Sequence, residues 1–422
     1  MSDKDIAPPV APKTLGGRLK MLGPGMMVAG AFIGTGTITT SIVAGTEHGY
    51  KLLWASVTLA VLLVITLQEM VARLALAAGQ TLAALVRSKL GIWMSMLAVL
   101  AIFGGNIIYS VANVNGVALA TSSMPGELPP LFWVIIVTAV YWALLLIGKF
   151  KLLERLVTVL VGLMSAVFLV DMLVSQPDYG QVAKGLVVPQ FDESQVLLVL
   201  GLIGTTVVPY NLYLHSSAVL ERRWDKNPKE FLPIARLDTF IPILIGGVIT
   251  MSVGVVAASV LNPQFLQDGL KIENAEAMSA ALAPVLGPAA YIFFNIGLFG
   301  AAVSSMPMAA LSAAYVTTES FGWSTDLKGR AFRLVFSLVA WIPVVIFAVM
   351  KSSPVATIIA AQSINGMLLP ITAVFILIFV NRKSIMGDLR NGLFANVISC
   401  VAVGFVCVIG IVNVLKAFKV IG

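Results

Sequence analysis

Eleven apolar stretches, each long enough to cross a bilayer as a helix, divide this chain of 422 residues. Only 11% of the residues are charged, whereas a soluble domain has about 25%. The chain is therefore predicted to be an all-α, multi-pass protein of the cell membrane. The predicted spans are 21–48, 51–75, 94–121, 130–148, 153–175, 194–220, 232–260, 284–318, 331–350, 353–381 and 392–417.

Basic residues are concentrated in alternate loops, where they set the predicted topology. Arg222, Arg223 and Lys226 follow the sixth span, and Arg382 and Lys383 follow the tenth, whereas the odd-numbered loops carry single lysines. Because cytoplasmic loops are enriched in Lys and Arg, the N-terminus is expected in the cytoplasm and the C-terminus outside. The predicted organisation is a disordered cytoplasmic tail (1–20), a core of membrane helices (21–390), and an additional eleventh helix with the C-terminus (391–422).

Composition also excludes several classes of function. The net charge of +7 is accounted for by the cytoplasmic loops, so no nucleic-acid partner is expected. The only two cysteines, Cys400 and Cys407, lie in one apolar span, and His48 and His215 are the only histidines. A disulfide framework and a His-rich metal site are therefore not expected. No nucleophile–base pair or paired carboxylates are recognisable, so the chain is predicted not to be an enzyme and to need no cofactor.

The first span contains a stretch, residues 31–40, that is a poor helix former. It has two glycines, Gly34 and Gly36, and four threonines, and both residue types lower helix propensity. Broken backbone at bilayer depth persists only where it lines a cavity or is buried in protein. A break in the first span is therefore predicted; the alternative is that the two glycines only allow a neighbouring helix to approach closely.

The sixth span has a matching irregularity at Pro209, which lies near its middle. Proline removes a backbone donor and disfavours helix at the preceding residue. Breaks at corresponding places in two halves indicate an inverted repeat with a binding site between the halves. The repeats are predicted at about 21–175 and 194–381, with the eleventh span outside them. The alternative is that Pro209 only kinks a packing helix.

Six short motifs are distributed over most of the chain: Leu22-Gly23-Pro24-Gly25, Gly49-Tyr50-Lys51-Leu52-Leu53-Trp54, Gln68-Glu69-Met70, Asn211-Leu212-Tyr213-Leu214-His215-Ser216, Gln362-Ser363 and Leu369-Pro370. With these motifs the chain resembles the NRAMP family of divalent-metal transporters. This resemblance implies a LeuT-like fold with a 5+5 inverted repeat, about 11 transmembrane helices of which helices 1 and 6 are broken, and a secondary transporter that works by alternating access.

The chain departs from this family at its functional positions. The family's Asp-Pro-Gly-Asn metal-binding signature corresponds to Gly34-Thr35-Gly36-Thr37, and its Met-Pro-His corresponds to Val208-Pro209-Tyr210. Its span-3 carboxylates correspond to Ser110 and Asn113, while Gln362 matches a residue that lines the family's site. Divalent cations prefer several charged oxygens or soft ligands, so this neutral set is unsuited to a dehydrated metal ion.

The segment Gly34-Thr35-Gly36 is also similar to the Gly-Ser/Thr-Gly turn of amino acid–polyamine–organocation transporters, whose backbone amides hold the substrate carboxylate. The predicted cargo is therefore a small organic solute with a carboxylate or amide, carried by a secondary transporter and coupled to Na⁺ or H⁺. For Na⁺, freed carbonyls of spans 1 and 6 with Ser304 or Ser305 are the candidate ligands. The candidate binding residues are Gly34, Thr35, Gly36, Thr37, Thr205, Thr206, Val208, Tyr210, Gln362, Asn113 and Ser110.

Two other functions remain open from the sequence. One is a divalent metal cation transporter of the Mn, Mg or Fe type with altered coordination, and the other is a transport-inactive receptor on the same fold. In each case the chain is expected to act as a monomer within the lipid bilayer.

Overall fold

The computed structural model describes residues 9–23, 33–122, 128–147, 151–190, 192–350 and 352–417, and within them the regular structure is entirely helical. The main helices are α1 (Leu15–Leu19), α2 (Thr35–His48), α3 (Trp54–Ala78), α4 (Leu82–Leu90), α5 (Ile92–Thr121), α6 (Pro130–Ile147), α7 (Lys151–Val174), α8 (Tyr179–Val187), α9 (Val196–Thr206), α10 (Pro209–Glu221), α11 (Pro228–Val260), α12 (Ala290–Phe321), α13 (Arg330–Val349), α14 (Pro354–Val380) and α15 (Leu393–Ala417).

The described ranges confirm a polytopic membrane protein. Nine of their helical segments are long and apolar enough to cross a membrane when α9 and α10 are counted together, and there are ten if the bent pair Lys383–Leu389 and Leu393–Val408 is counted as one span. The remaining predicted span is the first, of which the structure describes α2 and the residues up to Gly23. Residues 24–32, which belong to this predicted span and include the start of the stretch 31–40, lie outside the described residues.

Three helix positions differ from the sequence-based prediction. α11 begins at Pro228 instead of residue 232, because Pro228 occupies the first helical position, where a proline costs no hydrogen bond. α12 begins at Ala290 instead of 284, since Gly287 has a φ of +50°, which ends the short helix before it. The tail predicted to be disordered contains α1, whose N-cap Thr14 accepts a hydrogen bond from the Gly17 amide.

The sixth span is broken at the proline, as predicted. α9 ends at Thr206 and α10 begins at Pro209, with two non-helical residues between them. Val207 has φ −100° and ψ 67°, and Val208 is extended with φ −73° and ψ 121°. The extended conformation is the one that a following proline favours, so the sequence itself accounts for the position of the break.

Glycines allow the helices around this break to approach closely. A Cβ placed on Gly204 of α9 would overlap the Gln362 carbonyl oxygen and the Gly366 nitrogen of α14, and one placed on Gly366 would lie 2.5 Å from the Leu200 oxygen. On the opposite side, a Cβ on Gly45 of α2 would lie 2.5 Å from the Gly254 oxygen of α11. These close contacts fix α2, α9 and α14 around the centre of the bundle.

Candidate functional site

The N-terminus of α2 lies in the protein interior and forms one wall of the candidate site. Gly34 is an extended N-cap (φ −104°, ψ −175°) with no side-chain cap, and the Ile38 amide donates to its carbonyl at 3.2 Å. The amides of Thr35 and Gly36 precede that first intrahelical bond, so they have no acceptor within the helix. The helix dipole adds partial positive charge at the same place. This helix start coincides with the predicted break.

Two threonines of α2 connect it to the neighbouring helices. The Thr35 hydroxyl donates to Asn113 Oδ1 of α5 at 2.8 Å, and the Thr37 and Thr205 hydroxyl oxygens lie 3.0 Å apart. All four residues are buried. The structure therefore brings Thr35 together with Asn113, and Thr37 together with Thr205. These contacts place residues of α2, α5 and α9 in one polar cluster.

Gly36 faces the side-chain amide of Gln362 on α14. A Cβ on Gly36 would overlap Gln362 Nε2 and would lie 2.6 Å from Thr205 Oγ1. Gln362 is fully buried, and its Nε2 has no hydrogen-bond partner among the described residues. Leaving a buried donor unpaired costs about 1–3 kcal/mol. Gln362 therefore presents a donor for an acceptor that the described residues do not supply.

Gly34 faces a second polar group, made by α5 and α12. A Cβ on Gly34 would lie 2.9 Å from Ser305 Oγ and 3.3 Å from the Tyr109 hydroxyl. The Tyr109 ring makes an edge-to-face contact with Tyr210, with ring centroids 5.2 Å apart. Sequence analysis missed Tyr109; its position one turn before Asn113 on the same helix is the signal that could have identified it.

Three other predicted residues, Thr206, Val208 and Ser110, are neighbours in sequence of residues in this cluster, but their side chains make different contacts. Thr206 Oγ1 donates to the Leu202 carbonyl of its own helix at 3.1 Å, so its hydroxyl is engaged within α9. Val208 is the N-cap of α10 and has an extended backbone, so it forms part of the break between α9 and α10. The Ser110 hydroxyl is buried without a hydrogen-bond partner in the described part of the chain, and none of these contacts tests a role in binding.

The central site is chemically neutral. Its polar side chains are hydroxyls, amides and phenols, and no group of three or more His, Cys, Asp or Glu residues that could hold a metal occurs among the described residues. The one histidine of α10, His215, is buried and contacts other residues: its Nδ1 is hydrogen-bonded to Gln68 and its Nε2 lies 4.0 Å from Asp238. Asp238 also accepts a 2.6 Å hydrogen bond from the Gly23 amide.

A helix that begins inside the bundle, a second helix broken at mid-length and a polar cluster between them define a helical secondary transporter of the membrane. Over residues 25–416 the sequence matches the family described as "Natural resistance-associated macrophage protein-like", Nramp. The chain belongs to this family. It is 26% identical over 415 residues to the "Divalent metal cation transporter MntH" of Bacillus subtilis (strain 168), covering 96% of this chain and 93% of that protein.

Solved structures show the same fold. The Eremococcus coleocola manganese transporter, in complex with an aromatic bis-isothiourea substituted compound, aligns with a TM-score of 0.77 and 24% identity, covering 99% of this chain and 90% of that one. MhsT in complex with L-phenylalanine aligns with a TM-score of 0.58 and 18% identity, covering 93% and 98%. The fold is therefore LeuT-like, and among the described residues the sixth span has the break that the sequence predicts.

Proposed function

We propose that this Nramp-family transporter carries a small organic solute with a carboxylate or amide group. The observation that supports this cargo is the buried Gln362 Nε2, which has no hydrogen-bond partner in the described ranges and lies beside Gly36 and the N-terminus of α2. The Gln362 amide and the helix N-terminus both supply N–H donors with partial positive charge. A carboxylate or amide oxygen can accept hydrogen bonds from these donors.

The residues of the site have separate roles in this proposal. The amides of Thr35 and Gly36 and the Gln362 side chain bind the acceptor oxygens of the solute. The linked pair Thr37 and Thr205 holds α9 against α2 beside them. Tyr210, with Thr206, Val208, Ser110 and Asn113, completes the polar and apolar walls.

Coupling to Na⁺ has two sets of candidate ligands, backbone carbonyls at the break in the sixth span and two serines of α12. Pro209 has no N–H, so the Thr205 carbonyl receives no helical hydrogen bond from it. Ser304 donates to the Ala301 carbonyl at 2.9 Å, which leaves its oxygen lone pairs available to a cation, whereas Ser305 donates to the same carbonyl at 3.1 Å and is also hydrogen-bonded to Tyr109. Coupling to H⁺ is the alternative.

A divalent metal cation is the second candidate cargo, and it is favoured by the names of the curated relatives, including the Bacillus subtilis protein. This comparison supports the metal, whereas the side chains at the site support the organic solute. A divalent ion bound among neutral hydroxyls, amides and carbonyls would have to keep part of its hydration shell. The fold does not decide between them, because one structural neighbour is titled a manganese transporter and another is in complex with L-phenylalanine.

One experiment separates these candidates. The purified chain is screened for thermal stabilisation by amino acids and small carboxylates, since a ligand at 100 times its Kd stabilises by about 2.7 kcal/mol. In parallel, proteoliposomes are assayed for Mn²⁺ and Mg²⁺ uptake. A stabilising solute that is also taken up supports the organic cargo; Mn²⁺ or Mg²⁺ uptake without solute binding refutes it. A chain that binds a solute but transports nothing is a receptor.

The Gly36→Ala variant tests the role of the backbone donors. Its Cβ displaces Gln362 and covers the α2 terminus, so affinity for the solute should fall by at least about tenfold, the equivalent of one lost hydrogen bond to a charged group. Gly162→Ala is the matched control, because a Cβ there meets nothing within 4 Å. Unchanged affinity in Gly36→Ala would contradict this binding mode.

A further inference from the structure

A groove of about 560 Å³ lies away from the central site, between α3, α11 and α15. Its walls include Leu62, Ile65, Phe240, Phe394 and Ile398. Three of these side chains are well exposed: Leu62 (45%), Phe240 (38%) and Phe394 (79%). In a protein that spans a membrane, an outward-facing apolar groove of this kind contacts lipid chains instead of water.

One end of the groove carries three arginines and a single glutamate. Arg73 donates to Glu69 through Nε (3.1 Å) and Nη2 (3.0 Å), and Arg236 Nε donates to the same carboxylate at 3.0 Å. Arg390 also lines this end, and it takes part in no ion pair among the described residues. Three guanidinium groups and one carboxylate leave a net charge of +2.

The charged end coincides with helix termini. α3 ends a few residues beyond Arg73, α11 begins shortly before Arg236, and α15 begins just after Arg390. The groove therefore runs from a membrane–water interface into the apolar zone, with charge at the interface and hydrocarbon below it. This arrangement matches the two parts of a phospholipid, a headgroup and an acyl chain.

We propose that this groove binds an anionic phospholipid. Its phosphate binds Arg236 and Arg390, whose planar guanidinium groups suit phosphate oxygens, and one acyl chain lies along Leu62, Phe240 and Phe394. Basic pockets between membrane helices bind anionic headgroups for the same reason.

The binding site also involves the connection between α3 and the last helix. Arg73 donates to the Leu389 carbonyl at 2.5 Å and to Asn391 Oδ1 at 2.6 Å, so the arginine that shares Glu69 also holds the segment that leads into α15. A lipid bound at Arg236 and Arg390 therefore contacts both the core helix α11 and the helix outside the repeat.

The test uses the delipidated full chain in detergent and native mass spectrometry. Phosphatidylglycerol and phosphatidylcholine with identical acyl chains are titrated separately, and glycerol 3-phosphate serves as the headgroup alone. Phosphatidylglycerol should bind at least about fivefold more tightly than phosphatidylcholine, because each arginine near the membrane surface contributes about 1 kcal/mol. Equal affinity for the two lipids overturns the proposal, and so does binding of glycerol 3-phosphate as tight as that of the lipid, which would identify a site for free phosphate.

Two variants assign the site. Arg390→Gln removes an exposed arginine outside the Glu69 network and should reduce phosphatidylglycerol affinity by about fivefold; Arg236→Gln should do the same. Arg330→Gln, an exposed arginine at the start of α13, is the matched control and should leave affinity unchanged. Retention of the full preference for phosphatidylglycerol in the Arg236→Gln/Arg390→Gln double variant would overturn the proposal.

Discussion

Replacing Gly204 by Ala should separate two helices that form the centre of the bundle. A Cβ at this position overlaps two backbone atoms of α14, the Gln362 oxygen and the Gly366 nitrogen, and lies 2.9 Å from the Gly366 Cα. A flexible side chain could rotate away from such an overlap, but backbone cannot. The helices must therefore move apart, and overpacking of this kind costs about 1–3 kcal/mol.

Gly201→Ala is the matched control, because Gly201 lies one turn earlier on the same helix. Its Cβ would meet Ser363 Oγ at 3.3 Å and the Ile359 oxygen at 3.5 Å, which are tolerable contacts. Both substitutions gain about 1 kcal/mol of helix propensity, so this gain cancels in the comparison. The difference between the two variants is then the overpacking cost of about 1–3 kcal/mol.

The measurement is the apparent Tm of each variant in detergent. Samples are heated to a series of temperatures, and the Tm is determined from the loss of the monodisperse peak on size-exclusion chromatography. Gly204→Ala should unfold at least about 2 °C below Gly201→Ala, given that 1 kcal/mol corresponds to about 2–4 °C in domains of 150–250 residues. A Tm for Gly204→Ala equal to or above that of Gly201→Ala would refute the conclusion that the contact between α9 and α14 at Gly204 has no room for a Cβ.

Three further predictions concern single side chains. Thr205→Val should weaken cargo uptake in proteoliposomes far more than Thr206→Val, because only Thr205 directs its hydroxyl to α2; equal losses would contradict this. Arg73→Gln should lower thermal stability by about 1–3 kcal/mol, whereas Lys229→Gln, from an ion pair whose side chains are more than 80% exposed, should change it little. Hydrogen bonds donated by the backbone and side chain of Gln181 hold the pKa of Asp178 below its usual range. The capping contribution of Asp178 to α8 is therefore complete above its ordinary pKa of about 3.9 and is lost as pH falls through the lowered value. Hydrogen exchange of residues 179–187, corrected for intrinsic rates, should show this loss, and Asp178→Ala should show no such pH dependence.

Much of the fold follows from local sequence. Pro209 interrupts the sixth span at the residue where proline chemistry predicts, and α2 begins at Thr35, inside the glycine- and threonine-rich stretch. Helix ends were harder to place, since they depend on single residues such as Pro228 and Gly287. A proline can begin a helix as readily as interrupt one, and sequence alone does not show that Gly287 adopts a positive φ.

The site was only partly predictable because its contacts depend on how helices pack. Thr205 and Thr206 are identical neighbours in sequence, yet one contacts α2 and the other its own helix. The meeting of Gly36 with Gln362, 326 positions later in the numbering, likewise follows from tertiary packing. Tyr109 is not distinguished by the sequence, because a tyrosine within an apolar span is usually a packing residue.

The two non-helical residues between α9 and α10, Val207 and Val208, can serve as a hinge, so that neither helix has to unwind for the two to move relative to each other. α9 is tied to α14 through Gly204, and α10 is tied to α3 through His215 and Gln68, so the two halves of this span belong to different neighbours. A change of a few backbone torsions at the gap would tilt one half against the other while both keep their helical hydrogen bonds. If the site opens alternately to each side of the membrane, a pivot at these two valines would be sufficient, and neither half-helix would have to unwind.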